Sequence, residues 1–576
     1  MSEQTSSSEI VPVTYDDVFG TKPADADLSA LVAAWPLIPA LDFLGRLGCL
    51  MRFGVIDYRK AEFQRELVNR LKLGSYKAHL LRMIGGSRVF VFPEQLAILI
   101  KYVLRHSVGS AWPPGFEDEF ARSILIVSYL RTTATTVSGI AAPTAADFIP
   151  VEIAGMFGFE DPYVNKLLLF ASFFKWTLTD EARSHPAASD ASDDFKASFG
   201  ISWLEYMAVG YGLLMFFKQI NTFERLSRYS FLLTPAYIER FKYPDQVARW
   251  LELNSTDLKP LVNEITTRWS NTNLGASLFP LKQQPFIRFD DNTRCCPYVQ
   301  FLENASSSGL FYRLADAYRI QDLKKSRNLR TWFGHFLETY VLSIFKRVAA
   351  VRGYGIEGDK TYRVGNQERH GADVEFTSGS DVAFVEVTST RFREIDTLIE
   401  LRDEFIEEDV ERLISKIREL NSDIQDFKAG HLTYEGINPA AVARIFPLVV
   451  TSFSVPHFVG IVSVIRDTIA TEGLLLGAQP VELVEVQALD LLESDMTSSI
   501  SPFELLLAKQ ERTASKPTSL MNFVALRGRE LGLRDKMQKP QALIEIETEL
   551  RDLFNSWGGP QIVPPRRIAN PRLSTG

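Results

Sequence analysis

The stretch from Gly371 to Arg391 constrains the chain more than any other. It reads Gly-Ala-Asp-Val-Glu-Phe, then Thr-Ser-Gly-Ser, then Asp-Val-Ala-Phe-Val-Glu-Val-Thr-Ser-Thr-Arg. Apolar and polar residues alternate on both sides of Thr377-Ser378-Gly379-Ser380, which predicts two short strands joined by a tight turn. A turn symmetric about Ser378-Gly379 sets Phe376 across from Asp381 and Asp373 across from Phe384, with Glu386 diagonal to Asp373. Ladder partners share a face, as do residues two apart, so Asp373, Glu386 and Thr388 all project to one side. Diagonal neighbours lie roughly 7–8 Å apart at the backbone, and two carboxylate arms can close that gap on one hard cation with bonds of about 2.0–2.1 Å.

The flanking pattern predicts an α/β order. A helix over Trp332 to Val351 carries Phe333, Leu337, Val341, Ile344 and Val348 as one apolar stripe. Stepping 100° per residue puts Glu338 at the edge of that stripe, from where it can reach over a sheet. Strands are expected near Tyr354 to Val364, Ala372 to Phe376 and Val382 to Thr388. A charged helix from Ile395 to Lys428 follows, then a buried-type strand from Ile445 to Val455, a helix, a strand from Val481 to Val486, and C-terminal helices. This order implies a central mixed sheet with helices on its faces. Glu338, Asp373 and Glu386 would then offer three carboxylates from three elements, with the Val387 carbonyl as a fourth oxygen ligand.

A helix bearing Glu338, then Ala372-Asp373, then Glu386-Val387-Thr388, then a long helix and further strands resembles the PD-(D/E)XK phosphodiesterase superfamily, the fold of many restriction enzymes and repair nucleases. The resemblance covers about residues 330 to 493, within an expected restriction-endonuclease-like domain of residues 330–556. It implies magnesium- or manganese-dependent hydrolysis of a phosphodiester, with Asp373 and Glu386 holding the metal and Glu338 binding it directly or through water. The chemistry needs a Lewis acid on the phosphate and a deprotonated water, and a carboxylate-held dication supplies both. The family usually has lysine where this chain has Thr388, although some members resemble it in carrying Glu-Val-Thr. Thr388 is then expected to position the water by hydrogen bonding, with Arg391 or Lys346 stabilising the developing charge. Ala372 stands where the motif has proline, a position that shapes the turn into the strand.

A plainer alternative makes Asp373, Glu375 and Glu386 the solvated face of an antiparallel hairpin. Against it, Val-Ala-Phe-Val-Glu-Val is apolar on both faces, as in a central strand, and a buried acid there needs a partner. Lys324, Lys325, Arg327 and Arg330 precede the helix, and Arg391 and Arg393 follow the strand. These suit phosphate contacts, or, for the first cluster, a solvated helix start. His335 and His370 are read as structural or surface histidines.

The rest of the chain bounds the setting. Its 576 residues exceed one ordinary core, so two or three domains are expected. Residues 1–27 are polar and expected to be flexible, 28–280 form a large all-helical region with a possible break near 180–196, where 180–194 reads as an exposed acidic loop or a break between two helical subdomains, and 281–329 link the halves. A small hairpin from Pro285 to Pro297 turns at Asp290-Asp291-Asn292, and the tail from 557 to 576 is expected to be unstructured. A net charge of −8 argues against a protein that coats nucleic acid, while leaving room for a local basic groove. Three cysteines, two of them adjacent, fit a reducing, cytoplasmic setting. No zinc pattern is present. No signal peptide is evident, and the apolar run Tyr206 to Phe217 is too short for a membrane helix. Aromatic residues of the helical half fall at core spacing. The expected activity is that of an endonuclease acting on DNA, with a role in prokaryotic anti-phage defence or restriction implied by the resemblance alone. The helical half would recognise substrate, a partner protein or a second copy. The alternative is a nuclease-like scaffold that binds nucleic acid or protein without cutting.

Overall fold

The computed structural model of the protein describes residues 11–85, 88–136, 163–267, 278–389, 403–435, 437–452, 459–511, 519–520, 523–524 and 541–556. It is a mixed α/β structure in which a helical half precedes a half built on a five-stranded mixed sheet. The helices that build or brace the site are α1 (Tyr163–Trp176), α2 (Trp203–Phe217), α3 (Leu323–Arg352), α4 (Asp403–Lys428), α5 (Val459–Glu472), α6 (Val486–Ser498), α7 (Pro502–Glu511) and α8 (Gln541–Ser556). The strands are β1 (Gly355–Gly358), β2 (Thr361–Val364), β3 (Gln367–His370), β4 (Val374–Ser378), β5 (Asp381–Thr388), β6 (Arg444–Thr451) and β7 (Glu482–Glu485).

The main sheet runs β7-β6-β5-β4-β1. β1, β4 and β5 form an antiparallel meander, while β6 and β7 add in parallel to β5. The start of the parallel β5–β6 pairing is pinned by Arg444, whose guanidinium donates to both Asp381 oxygens at 2.7 and 2.6 Å. Each face of the sheet is covered. Val374, Phe376, Ala383, Val385 and Val387 pack with α3 and α6, whereas Val382, Phe384 and Val449 pack with Leu413, Ile417 and Ile424 of α4. The continuous apolar run in β5 follows from this double burial, and the solvated-hairpin alternative does not hold.

α3 starts at Leu323 rather than Trp332, because the Asp322 side chain accepts from the Lys324 amide and caps it. Its first half buries Trp332, Phe333 and Phe336 against Phe170 and Phe173 of α1. Its second half stacks Phe345 on Phe376 of the sheet. One continuous hydrophobic core therefore includes residues of both halves. α8 returns from the C-terminal side to α2, where Gly212 leaves room for the Phe554 ring: a Cβ at Gly212 would lie 2.2 Å from it.

Several expectations are corrected. Residues 11–27 are not a flexible leader: Val11–Pro12 pairs with Arg88–Val89, Val13 is fully buried, and helices begin at Tyr15 and Asp25. Residues 180–194 are not a plain loop. They hold the helix Asp180–Ser184 and the start of Ala191–Phe199, held down by buried Ala182, Ala187 and Ala191. The strand expected over Tyr354 to Val364 divides into β1 and β2, and β2 pairs with β3, which the sequence did not suggest. The small linking hairpin forms as expected, Ile287 opposite Cys295, with Asn292 at φ 59° in its turn. Residues 1–10 and 557–576 lie outside the described residues. Among the described residues no single helix is long and apolar enough to cross a membrane, although Ala191–Phe199 and Trp203–Phe217, bent by 67°, pass as a pair by length and composition. Most of α2 is buried in the protein core.

Candidate active site

The β4–β5 register differs from the sequence expectation by two residues. Ser378 pairs with Asp381, Thr377 with Val382 and Glu375 with Phe384. Only Gly379 and Ser380 form the loop, and Gly379, at φ 62°, supplies the left-handed residue that a two-residue turn requires at its first position. A shift of two preserves the faces, so Asp373, Glu386 and Thr388 still share a side. Continuing the ladder one step past Val374 and Val385 sets Asp373 directly opposite Glu386, not diagonal to it.

Asp373 is fixed at the entry to β4 by the Val387 N–H, which donates to its Oδ2 at 2.7 Å. Glu386 lies in the middle of the sheet, 5% exposed, with β4 on one side and β6 on the other. Both carboxyls are held above the ordinary range. Burial pushes Asp373 up to about 6, with Glu338 adding repulsion and the Val387 N–H opposing it. Burial pushes Glu386 up to about 8, with Asp373 adding repulsion and Lys416 opposing it. The pair titrates as a unit. Burial also raises Glu338, opposed by His335 and Lys416. Glu338 is half-exposed on α3, with its Oε2 3.6 Å from His335 Nδ1. That His335 ring stacks in turn on His185 of the helical half, centroids 4.7 Å apart.

Lys416 is the residue that sequence reasoning missed. It projects from α4 toward the buried side of β5 and donates to Glu386 Oε2 at 2.9 Å and Glu419 Oε2 at 2.7 Å. Burial works against its charge, yet the two carboxylates keep its pKa above the usual lysine value. An ammonium has three donors; two are engaged, and the third has no partner among the described residues. The signal was present in the chain. Leu413, Ile417, Leu420 and Ile424 form the apolar stripe of α4, and the same 100° stepping that located Glu338 puts Lys416 at that stripe's edge.

α4 is held in place beside the carboxylates by a second polar cluster. Arg369 of β3 donates to Asp426 Oδ2 at 2.6 Å, and the Tyr362 hydroxyl of β2 lies 2.7 Å from Asp426 and 3.3 Å from Asp423. The β2–β3 hairpin thus clamps α4 to the sheet.

No family model, curated protein or solved structure matches this chain. Glu338, Asp373, Glu386 and Thr388 are brought into one region, Thr388 buried on the Glu386 face. Arg391 and Arg393 lie outside the described residues. Lys346 is exposed, eight residues beyond Glu338, or about 12 Å along the helix, and contacts none of the three carboxylates among the described residues. Lys325 is occupied by Asp194 at 2.7 Å and by the Tyr318 ring. Among the described residues no group of three or more His, Cys, Asp or Glu side chains is gathered closely enough to hold a metal ion. Two adjacent carboxyls, Glu386 buried and Asp373 half-buried, could still share a hard dication: burial and mutual repulsion resist their charge, with Lys416 and the Val387 N–H opposing. Two carboxylates are as many as magnesium commonly takes from a protein, the remaining positions being filled by water.

Proposed function

We propose that the protein is a metal-dependent nuclease of the PD-(D/E)XK type, hydrolysing phosphodiester bonds of nucleic acid, with DNA the expected substrate. The observation that carries this reading is the Lys416–Glu386 contact, which places a cation beside the acid pair where the strand itself has only Thr388. The meander β1-β4-β5 with β6 added in parallel, and α3 and α4 on opposite faces, supports the restriction-endonuclease-like fold.

Asp373 and Glu386 would hold magnesium or manganese, with the Val387 carbonyl and Glu338 as further oxygen donors, Glu338 acting through water. When bound, the metal supplies Lewis acidity on the phosphate and lowers the pKa of the attacking water. The chain's own residues do the remaining work. Lys416 aims its third N–H at the charge that develops on the phosphate oxygens as water attacks phosphorus and the bridging P–O bond breaks. Asp373, fixed by the Val387 amide, sets the distance between the two carboxylates. Glu338, oriented by His335, orders solvent at the open side. Three buried, free cysteines accord with a reducing cytoplasm, and a role in prokaryotic defence or restriction remains the expected biological setting.

The test is incubation of purified protein with plasmid, single-stranded DNA and RNA in magnesium or manganese, together with Asp373→Ala, Glu386→Ala and Lys416→Ala. Cutting by the parent and its loss in all three variants is expected. Absence of cutting, or undiminished cutting by the first two, removes the proposal. One observation favours the second reading, a binding scaffold: among the described residues three ligands are not preassembled. Manganese affinity separates the two, since a scaffold needs no metal and Asp373→Asn would leave its binding intact.

A further inference from the structure

α3 carries more than Glu338 toward the site. Lys324, Arg327 and Arg330 are all exposed. Among the described residues no carboxylate forms an ion pair with any of them, in contrast to Lys325, which is tied to Asp194. Helical stepping at 100° places Lys324, Arg327, Thr331, Gly334, His335 and Glu338 within one arc, opposite buried Leu329, Trp332 and Phe336, with Arg330 on its flank. The stripe is about 21 Å long from Lys324 to Glu338 at 1.5 Å per residue. One end is cationic; the other is the candidate active site.

Gly334 lies within this stripe, one turn before Glu338. A glycine inside a helix is disfavoured relative to alanine, so its presence calls for a reason. The protein itself provides none among the described residues: a Cβ at Gly334 would meet only the Ser389 hydroxyl oxygen, at an ordinary 3.8 Å. Ser389 directly follows Thr388, so Gly334 borders the exit of β5. Contrast Gly212, where a Cβ would collide with Phe554. Gly334, itself half-buried, leaves space for a Cβ beside the carboxylates that no neighbour among the described residues fills.

We propose that the exposed face of α3 from Lys324 to Gly334 is the path along which a nucleic-acid backbone reaches the site, its phosphates meeting Lys324, Arg327 and Arg330 and its chain passing closely over Gly334. This rests on the nuclease site proposed above and specifies how that site takes its substrate. Each strand of a duplex presents one phosphate per about 3.4 Å of axis, so a stripe of about 21 Å passes several phosphates before the carboxylates. Arginine and lysine heads on such a face are suited to contact them without reading sequence. The net charge of −8 on the whole chain makes such a local track the means of attraction.

The experiment measures binding of labelled duplex and single-stranded DNA of one sequence to the full chain in calcium, across a salt series. It compares the parent with Lys324→Ala/Arg327→Ala/Arg330→Ala, with Gly334→Ala and with Lys346→Ala. For duplex DNA the triple variant is expected to lower the log–log salt slope by about 0.9 for each phosphate that the variant no longer neutralises, and Lys346→Ala to leave it unchanged. Gly334→Ala is expected to raise Tm, by about 1 °C for a chain of this size, through helix propensity, while weakening binding. A triple variant with the parent's slope and affinity, or Gly334→Ala that is more stable and binds undiminished, overturns the path while leaving the nuclease proposal standing. A parent that binds with the expected slope changes but never cuts upholds the path and removes the nuclease proposal. A parent that binds neither probe overturns the path.

Discussion

Replacing Lys416 by methionine keeps an unbranched side chain of similar reach and removes only the charge and its donors. The Glu419 contact is to a half-exposed carboxylate and contributes little. The Glu386 contact is the one at issue, since its acceptor is 6% exposed at the side chain. A hydrogen bond to a charged group contributes about 1.5–3 kcal/mol, and the same donor aimed at a phosphate in the transition state is of that order. A loss of about 1.5–3 kcal/mol corresponds to roughly 13- to 160-fold in kcat/KM. Stability should change much less near neutrality. Burial already holds Glu386 well above the usual carboxylate range and removing Lys416 raises it further, so near neutrality it keeps its proton, and the cost climbs toward that of a broken buried pair, about 3–5 kcal/mol, only as the pH is raised. Single-turnover plasmid nicking in magnesium reads the first quantity, and thermal melts at pH 7 and pH 9 read the second. Thr388 is two residues from Glu386, about 6.6 Å along the strand, within reach of a lysine stem. Thr388→Lys in the Lys416→Met background should therefore restore part of the lost rate. Cutting by Lys416→Met within about threefold of a parent whose Asp373→Ala variant is inactive would refute a role for Lys416 at the developing charge.

The remaining expectations concern charge and packing. Asp373 and Glu386 have folded pKa values above their unfolded ones, so the native state retains protons that the unfolded chain releases. Their contribution to stability is complete below about pH 4 and is lost as pH rises through about 6 and then about 8. The urea midpoint of the metal-free protein should fall over that range. Asp373→Asn, Glu386→Gln or added magnesium should flatten the fall, and a pH-independent midpoint contradicts the burial described. Lys509 and Glu482 form a pair 3% and 9% exposed at the side chain. Lys509→Met alone should cost about 3–5 kcal/mol in denaturant unfolding and Glu482→Leu/Lys509→Met clearly less, because the single change strands a buried charge. Gly212→Ala drives a methyl into the Phe554 ring. It should cost about 1–3 kcal/mol and be read as faster proteolysis near α8, since that helix has to shift to admit it.

Much of the site was legible because its signals are local. Alternation about Gly379 located two strands, the stripe through Phe333 and Ile344 located a helix and its edge residue Glu338, and parity put Asp373, Glu386 and Thr388 on one face. The register was not legible, because Thr377-Ser378-Gly379-Ser380 admits two turn centres and only pairing distinguishes them. Polar composition hid the ordered residues 11–27 and the helices within 180–199. There Val13, Ala182 and Ala191 give little pattern, yet each is buried by partners distant in sequence.

What the sequence alone determined is periodic: which residues share a face, and that β5 is apolar on both sides and so covered on both. A period-two or period-3.6 pattern is a property of adjacent residues, and no tertiary contact is needed to express it. Which cation meets Glu386 was decided only by the fold. Thr388 is where a strand-borne lysine would stand, but α4 crosses the buried face of β5, clamped there by Arg369 and Tyr362, and brings Lys416 from thirty residues away along the chain. A charge on one element and its partner on another are joined by packing, and packing is not written in the spacing of either.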